Sequence, residues 1–82
     1  LLKGKYYSGS GDMLWIYEFD GQGNYQYLNW NPISGEAPLH YGTYDLSPPS
    51  LILNHSDGEI EQLEFIYESA TAIYIDGDLY TQ

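Results

Sequence analysis

Thirteen residues, Trp15-Ile16-Tyr17-Glu18-Phe19-Asp20-Gly21-Gln22-Gly23-Asn24-Tyr25-Gln26-Tyr27, restrict this chain's fold more than any other stretch. Trp15, Tyr17 and Phe19 fall on one face of an extended run, and Tyr25 and Tyr27 on one face of the next. Alternation of period two around a short polar turn is the signature of a β-hairpin. Gly21 and Gly23 accept positive φ at little steric cost, and the Asp20 and Asn24 side chains can cap the turn.

The same pattern continues along the chain. Residues 1–7 read as a first strand, and Ser8-Gly9-Ser10-Gly11-Asp12 as a flexible polar connection. Strands are predicted over 13–19, 24–29, 40–46, 51–54, 60–68, 72–75 and 79–81. Asn31 to Pro38 reads as the longest irregular segment, because its two prolines and a glycine exclude it from a central strand. Ser47-Pro48-Pro49-Ser50, Ser56-Asp57-Gly58-Glu59, Glu68-Ser69-Ala70-Thr71 and Asp76-Gly77-Asp78 read as turns. Residues 59–69 are the best helix candidate, but Phe65, Ile66 and Tyr67 favour strand and both flanks are turns. About eight short strands with turn signals at intervals of about ten residues predict an all-β fold. Sequential hairpins predict an up-and-down antiparallel barrel. The length, 82 residues, suits one domain spanning 1–82.

Charge narrows the partners. Twelve acidic residues stand against two lysines, Lys3 and Lys5, giving a formal net charge of −10. Nucleic acid and anionic membrane surfaces are poor partners for such a surface. No apolar run reaches the roughly 18 residues of a membrane-spanning helix. The chain has no cysteine, hence no disulfide and no thiolate metal site. It starts at Leu1 rather than Met and is read as processed or trimmed.

Several motifs run in one order: Leu2-x-Gly4-x-Tyr6, Phe19-x-x-x-Gly23-x-Tyr25, Gly42-Thr43-Tyr44-x-Leu46, Leu51-x-Leu53, Asp57-Gly58 and Leu79-Tyr80. This series resembles the small bacterial lipocalin-like domains, relatives of the calycin barrels, over nearly the full length. Tyr6 stands where lipocalins usually carry Trp, and the chain lacks the arginine that packs on that Trp. Strands this short imply a shallow barrel, and the resemblance implies a secreted or lipid-anchored binding domain, with an extracellular or cell-surface location.

No residue set stands out for catalysis, and no cofactor is expected. His40 and His55 lack obvious partners and read as surface or hydrogen-bonded histidines. Glu59, Glu61, Glu64 and Glu68 read as a solvated acidic face. Asp20-x-Gln22-x-Asn24 fails as a calcium loop, because Tyr25 stands at the loop-glycine position and Asn31 at the closing-glutamate position. Asn54-His55-Ser56 fits the glycosylation acceptor pattern, which has meaning only in a secreted eukaryotic protein.

The aromatic residues remain, ten of them tyrosines. Tyr6, Trp15, Tyr17, Phe19, Tyr25, Tyr27, Tyr44, Leu53, Phe65, Tyr67 and Tyr80 can fill a small barrel completely. Alternatively Trp15, Tyr17, Tyr27, Trp30, Tyr44 and Tyr67 line a cup for a small apolar or sugar-like ligand, with the Pro32–Pro38 loop at its mouth. Leu14, Ile16, Ile52 and Ile66 fall opposite the inward set and form a candidate patch for a partner or for self-association. Three functions follow: non-enzymatic binding of a small apolar ligand or protein surface, assembly through outward apolar stripes, and acidic inhibition of a basic nucleic-acid-binding protein.

Overall fold

The computed structural model describes residues 2–82. Leu1, which the sequence pattern assigns to the first strand, lies outside the described residues. Eight strands follow in order: β1 (Lys3–Ser10), β2 (Met13–Asp20), β3 (Asn24–Asn31), β4 (Gly35–Ser47), β5 (Ser50–His55), β6 (Ile60–Ser69), β7 (Ala72–Ile75) and β8 (Asp78–Thr81). Each pairs antiparallel with the next, and β1 closes on β8. The protein is thus an up-and-down barrel. Among the described residues no helix is long and apolar enough to cross a membrane.

The turns form as their residues dictate. The Asp20 carboxylate accepts hydrogen bonds from Gln22 N at 2.7 Å, Asn24 N at 3.0 Å and Asn24 Nδ2 at 2.7 Å. These bonds, the Asn24 side chain's first, hold its carboxyl below the usual carboxylate range. In the two-residue loop between β7 and β8, Asp76 (φ 50°) and Gly77 (φ 84°) are both left-handed, as the primed turn that matches strand twist requires.

Two boundaries differ from the sequence pattern. The first connection is shorter than expected, because β1 continues through Gly9 and Ser10 and only Gly11 and Asp12 turn. The segment 31–38 is mostly strand: only Pro32, Ile33 and Ser34 turn, and Glu36, Ala37 and Pro38 pair with β3. Proline is tolerated here because β4 begins its pairing with β5 only at Gly42, so 35–41 is an edge whose outward N–H groups need no partner. A register shift beside Pro38 adds a bulge, which also protects an open edge.

Inside the barrel, Leu2, Tyr6, Tyr17, Phe19, Tyr25, Leu51, Leu53, Leu63, Phe65, Ile73, Ile75 and Tyr80 form one buried cluster, with Tyr27, Tyr44 and Leu46 packed against it. Phe19 is its aromatic hub, at 5.0 Å from Tyr44, 5.9 Å from Tyr17 and 6.3 Å from Tyr6 between ring centroids. Trp15 and Tyr67 have the inward parity but lie near strand ends, so they remain 37% and 49% exposed. A cup running deep through the barrel is therefore replaced by a packed core.

Ile16 departs from the outward stripe expected of it, being only 1% exposed. It points away from the barrel interior, but its registered neighbours Tyr7 and Leu28, and Pro38 beyond Leu28, build a second apolar layer on that face. Lys5 in β1 meets Glu36 in β4 at 3.1 Å, spanning the two strands that carry Ile16 and Leu28.

The packed phenols make a prediction for alkaline pH. Burial, then the neighbouring Tyr80 and Tyr27 phenols, push the Tyr17 phenol far above its ordinary range. Burial likewise raises Tyr80. Above pH ~10 the unfolded chain ionises these groups while the barrel holds them neutral, so the unfolded state binds fewer protons. Stability is complete below that pH and falls above it, by ~1.4 kcal/mol per pH unit for each phenol ionised only when unfolded. Phenolate absorbance for Tyr17 and Tyr80 should appear together with loss of the β-sheet circular dichroism. Ionisation of all ten tyrosines with the sheet intact would contradict the packing.

Candidate functional sites at the two ends of the barrel

One end of the barrel collects rings around the two histidines. Inward parity on β4 runs Leu46, Tyr44, Gly42, His40, and on β5 Leu51, Leu53, His55; Gly42 pairs with both Tyr25 and His55. His40 and His55 therefore lie diagonally across adjacent strands, with ring centroids 4.4 Å apart. Tyr27 stacks on His40 at 4.9 Å and 27°, and Trp15 lies nearly parallel to Tyr27 at 6.1 Å and 8°. Tyr17 contacts Tyr27 at 4.4 Å from the core side.

Beneath the histidines lies Tyr25, 4% exposed. Its hydroxyl is 3.0 Å from His40 Nδ1 and 3.1 Å from His55 Nδ1, and His55 Nε2 is 3.1 Å from Glu61 Oε1. With both imidazoles neutral and Glu61 a carboxylate, one proton arrangement satisfies all three contacts. His55 Nε2–H donates to Glu61, the Tyr25 hydroxyl donates to His55 Nδ1, and His40 Nδ1–H donates to the Tyr25 oxygen. His40 is then left with its lone pair on Nε2. Burial, then repulsion from His55, lowers the His40 imidazole below its ordinary range, which favours this neutral form. Burial, reinforced by the charges of Glu61 and Asp57, pushes the Tyr25 phenol up to about 12. A cleft of about 240 Å³ between Pro38–Tyr41 and His55–Asp57 leads from solvent to this cluster.

The opposite end is mostly apolar. A cleft of about 520 Å³ lies between Leu2, Tyr44, Asp45, Leu46, Pro48, Tyr67 and the Gly21–Gly23 turn. The Tyr44 hydroxyl donates to the Leu2 carbonyl at 2.7 Å, which turns the ring's flank toward the cleft.

The six ring residues singled out as a cup thus divide. Trp15, Tyr17 and Tyr27 gather at the histidine end. Tyr44 and Tyr67 line the apolar cleft. Trp30 pairs with Leu14 and Glu36 on the outer face, away from both. The outward set divides as well. Leu14 and Ile16 belong to the β1–β4 layer, Ile52 is half-buried between Asp45 and Gln62, and Ile66 lies beside Tyr74.

Neither histidine has a partner within its own stretch of sequence. The signal was present in the parity of Gly42, Tyr44 and Leu46 and of Leu51 and Leu53: one step further along each face reaches His40 and His55. No known protein family, characterised protein or solved structure matches the chain.

Proposed function

We propose that the protein is a non-enzymatic binding domain, resembling a minimal lipocalin and acting outside the cytoplasm, that takes a small apolar ligand at the Tyr44–Tyr67 end. The observation that carries this reading is the apolar cleft of about 520 Å³, within the size range of small-molecule sites. It is walled by Leu2, Leu46 and Pro48 with two phenol rings, and Asp45 and Gln22 supply polar groups at its rim. Because the core is filled, the ligand sits at the barrel's end rather than along its axis. Its affinity comes from apolar area withdrawn from water, with Tyr67 as the ring that closes over it.

Titration with a neutral fluorescent apolar dye tests this. The expected result is saturable binding of one dye, weakened about tenfold by Tyr67→Ala, which removes one aromatic contact. Trp15→Ala at the opposite end should leave it unchanged. Absence of saturable binding, or equal loss in both variants, would overturn the reading.

A second reading, self-association, is favoured by one outer row. Ile66, Tyr74 and Leu79 are direct cross-strand neighbours on β6, β7 and β8, and Ile66 and Leu79 are exposed. Light scattering on wild type and Ile66→Glu separates the two: a concentration-dependent dimer lost in the variant supports assembly.

A further inference from the structure

His40 and His55 are the only histidines in the chain. Together with Glu61 each offers one donor atom, and the three atoms lie within 4.8 Å of one another. They come from three consecutive strands, β4, β5 and β6, so ladder backbone rather than loop holds them in place. We infer that His40, His55 and Glu61 form a binding site for a divalent transition-metal cation of the zinc class, independent of the apolar cleft at the other end.

Five observations support the assignment. The donor set, two imidazoles and one carboxylate, suits zinc and its neighbours rather than calcium or magnesium, which take oxygen donors. The separation of His55 Nε2 and Glu61 Oε1 is 3.1 Å, close to the ~3.3 Å between two ligands of one tetrahedral zinc with bonds of ~2.0–2.1 Å. The half-buried His40 ring offers the third donor atom, within 4.8 Å of the other two.

Tyr25 provides the supporting contacts. A metal-bound imidazole is oriented by what its other nitrogen holds, and here one hydroxyl holds Nδ1 of both rings. That leaves Nε2 of each ring for the cation. For both rings to offer Nε2, the His55 proton moves from Nε2 to Nδ1, and the Tyr25 hydroxyl stays beside both Nδ1 atoms.

Charge and access agree. Glu61 and Asp57 make the mouth anionic, and the two lysines of the chain lie on β1. The cleft between Pro38–Tyr41 and His55–Asp57 supplies a route from solvent. Three protein ligands leave a fourth tetrahedral position for water or an incoming donor atom.

The test is competition for Zn²⁺ between the protein and a chromogenic chelator, with excess Mg²⁺ present to occupy scattered surface carboxylates. Wild type should bind one equivalent. His40→Ala, His55→Ala and Glu61→Gln should each weaken binding at least about tenfold, whereas Glu68→Gln, away from the cluster, should not. In parallel, histidine ring resonances of wild type are followed by NMR, which requires no variant to fold. Both sets should shift and saturate at one equivalent of Zn²⁺. Wild-type affinity retained in both histidine variants, or ring resonances unmoved at saturation, would overturn the site.

Discussion

Phe19→Ala should destabilise the barrel by about 3–5 kcal/mol, the usual cost of emptying a fully buried aromatic site. Phe19 is 1% exposed and touches Tyr6, Tyr17 and Tyr44 through ring contacts. Those three rings come from β1, β2 and β4, strands fixed by their own ladders, so the cavity cannot close by collapse. A chain of 82 residues has a total stability of about 4–12 kcal/mol at ordinary values per residue. The variant should therefore lose from about a quarter to all of that stability. Ile60→Ala is the matched control: Ile60 is 72% exposed, and its loss should change stability by no more than about 0.5 kcal/mol. Urea unfolding followed by circular dichroism measures both. Equal effects would mean that Phe19 is not in a dry interior.

The second large effect is expected at Gly42, for a different physical reason. Its φ is not left-handed, so conformational freedom is not what the position requires. What it requires is space, since a Cβ built there would overlap the carbonyl oxygen of Asn54 on the neighbouring strand. That oxygen is backbone and cannot rotate away. Gly42→Ala must push β5 from β4, at a cost of about 3 kcal/mol, the upper end for overpacking. The displacement falls where Gly42 pairs with His55 and Tyr25, so the Tyr25 contacts to both histidines should be lost as well. Stability is read from the urea midpoint and the histidine environment from ring chemical shifts. A Gly42→Ala variant as stable as wild type, with unchanged histidine shifts, would contradict the close approach of β4 and β5.

Most of the fold was legible because local chemistry and the global pattern agree. Asp20, Gly21, Gly23 and Asn24 specify a turn whatever surrounds them, and the flanking aromatics set the register. The same logic places Leu53 and Phe65 inward, and both are buried. It failed at Pro38, because proline excludes a strand only where its N–H would face a partner. Whether β4 has a neighbour at that height is decided by the length of β5, not by β4. It also failed at Ile16, whose burial goes with an apolar layer assembled from four strands.

The histidine cluster illustrates the limit more sharply. His40 and His55 are fifteen residues apart, and neither is flanked by residues that mark a site. They meet only because the Ser47–Ser50 turn sets a register that opposes Gly42 to His55. Tyr25 looked like one more core aromatic, and nothing local indicates that its hydroxyl ends between two imidazoles. The apolar cleft at the other end is equally non-local, since Leu2 and Tyr67 are distant in sequence and share a wall only after β1 closes on β8.

Alternation of side chains closes this chain into a barrel that gathers His40, His55 and Tyr25 at one mouth. Nuclear Overhauser contacts between the Tyr25 ring and the two imidazoles test this arrangement, because the three residues lie on three different strands. Cross-peaks from Tyr25 ring protons to both histidine rings, together with one between Tyr7 and Thr81 across the β1–β8 closure, are the result expected. A spectrum in which Tyr25 reaches neither imidazole, or in which Tyr7 and Thr81 share no contact, would contradict it.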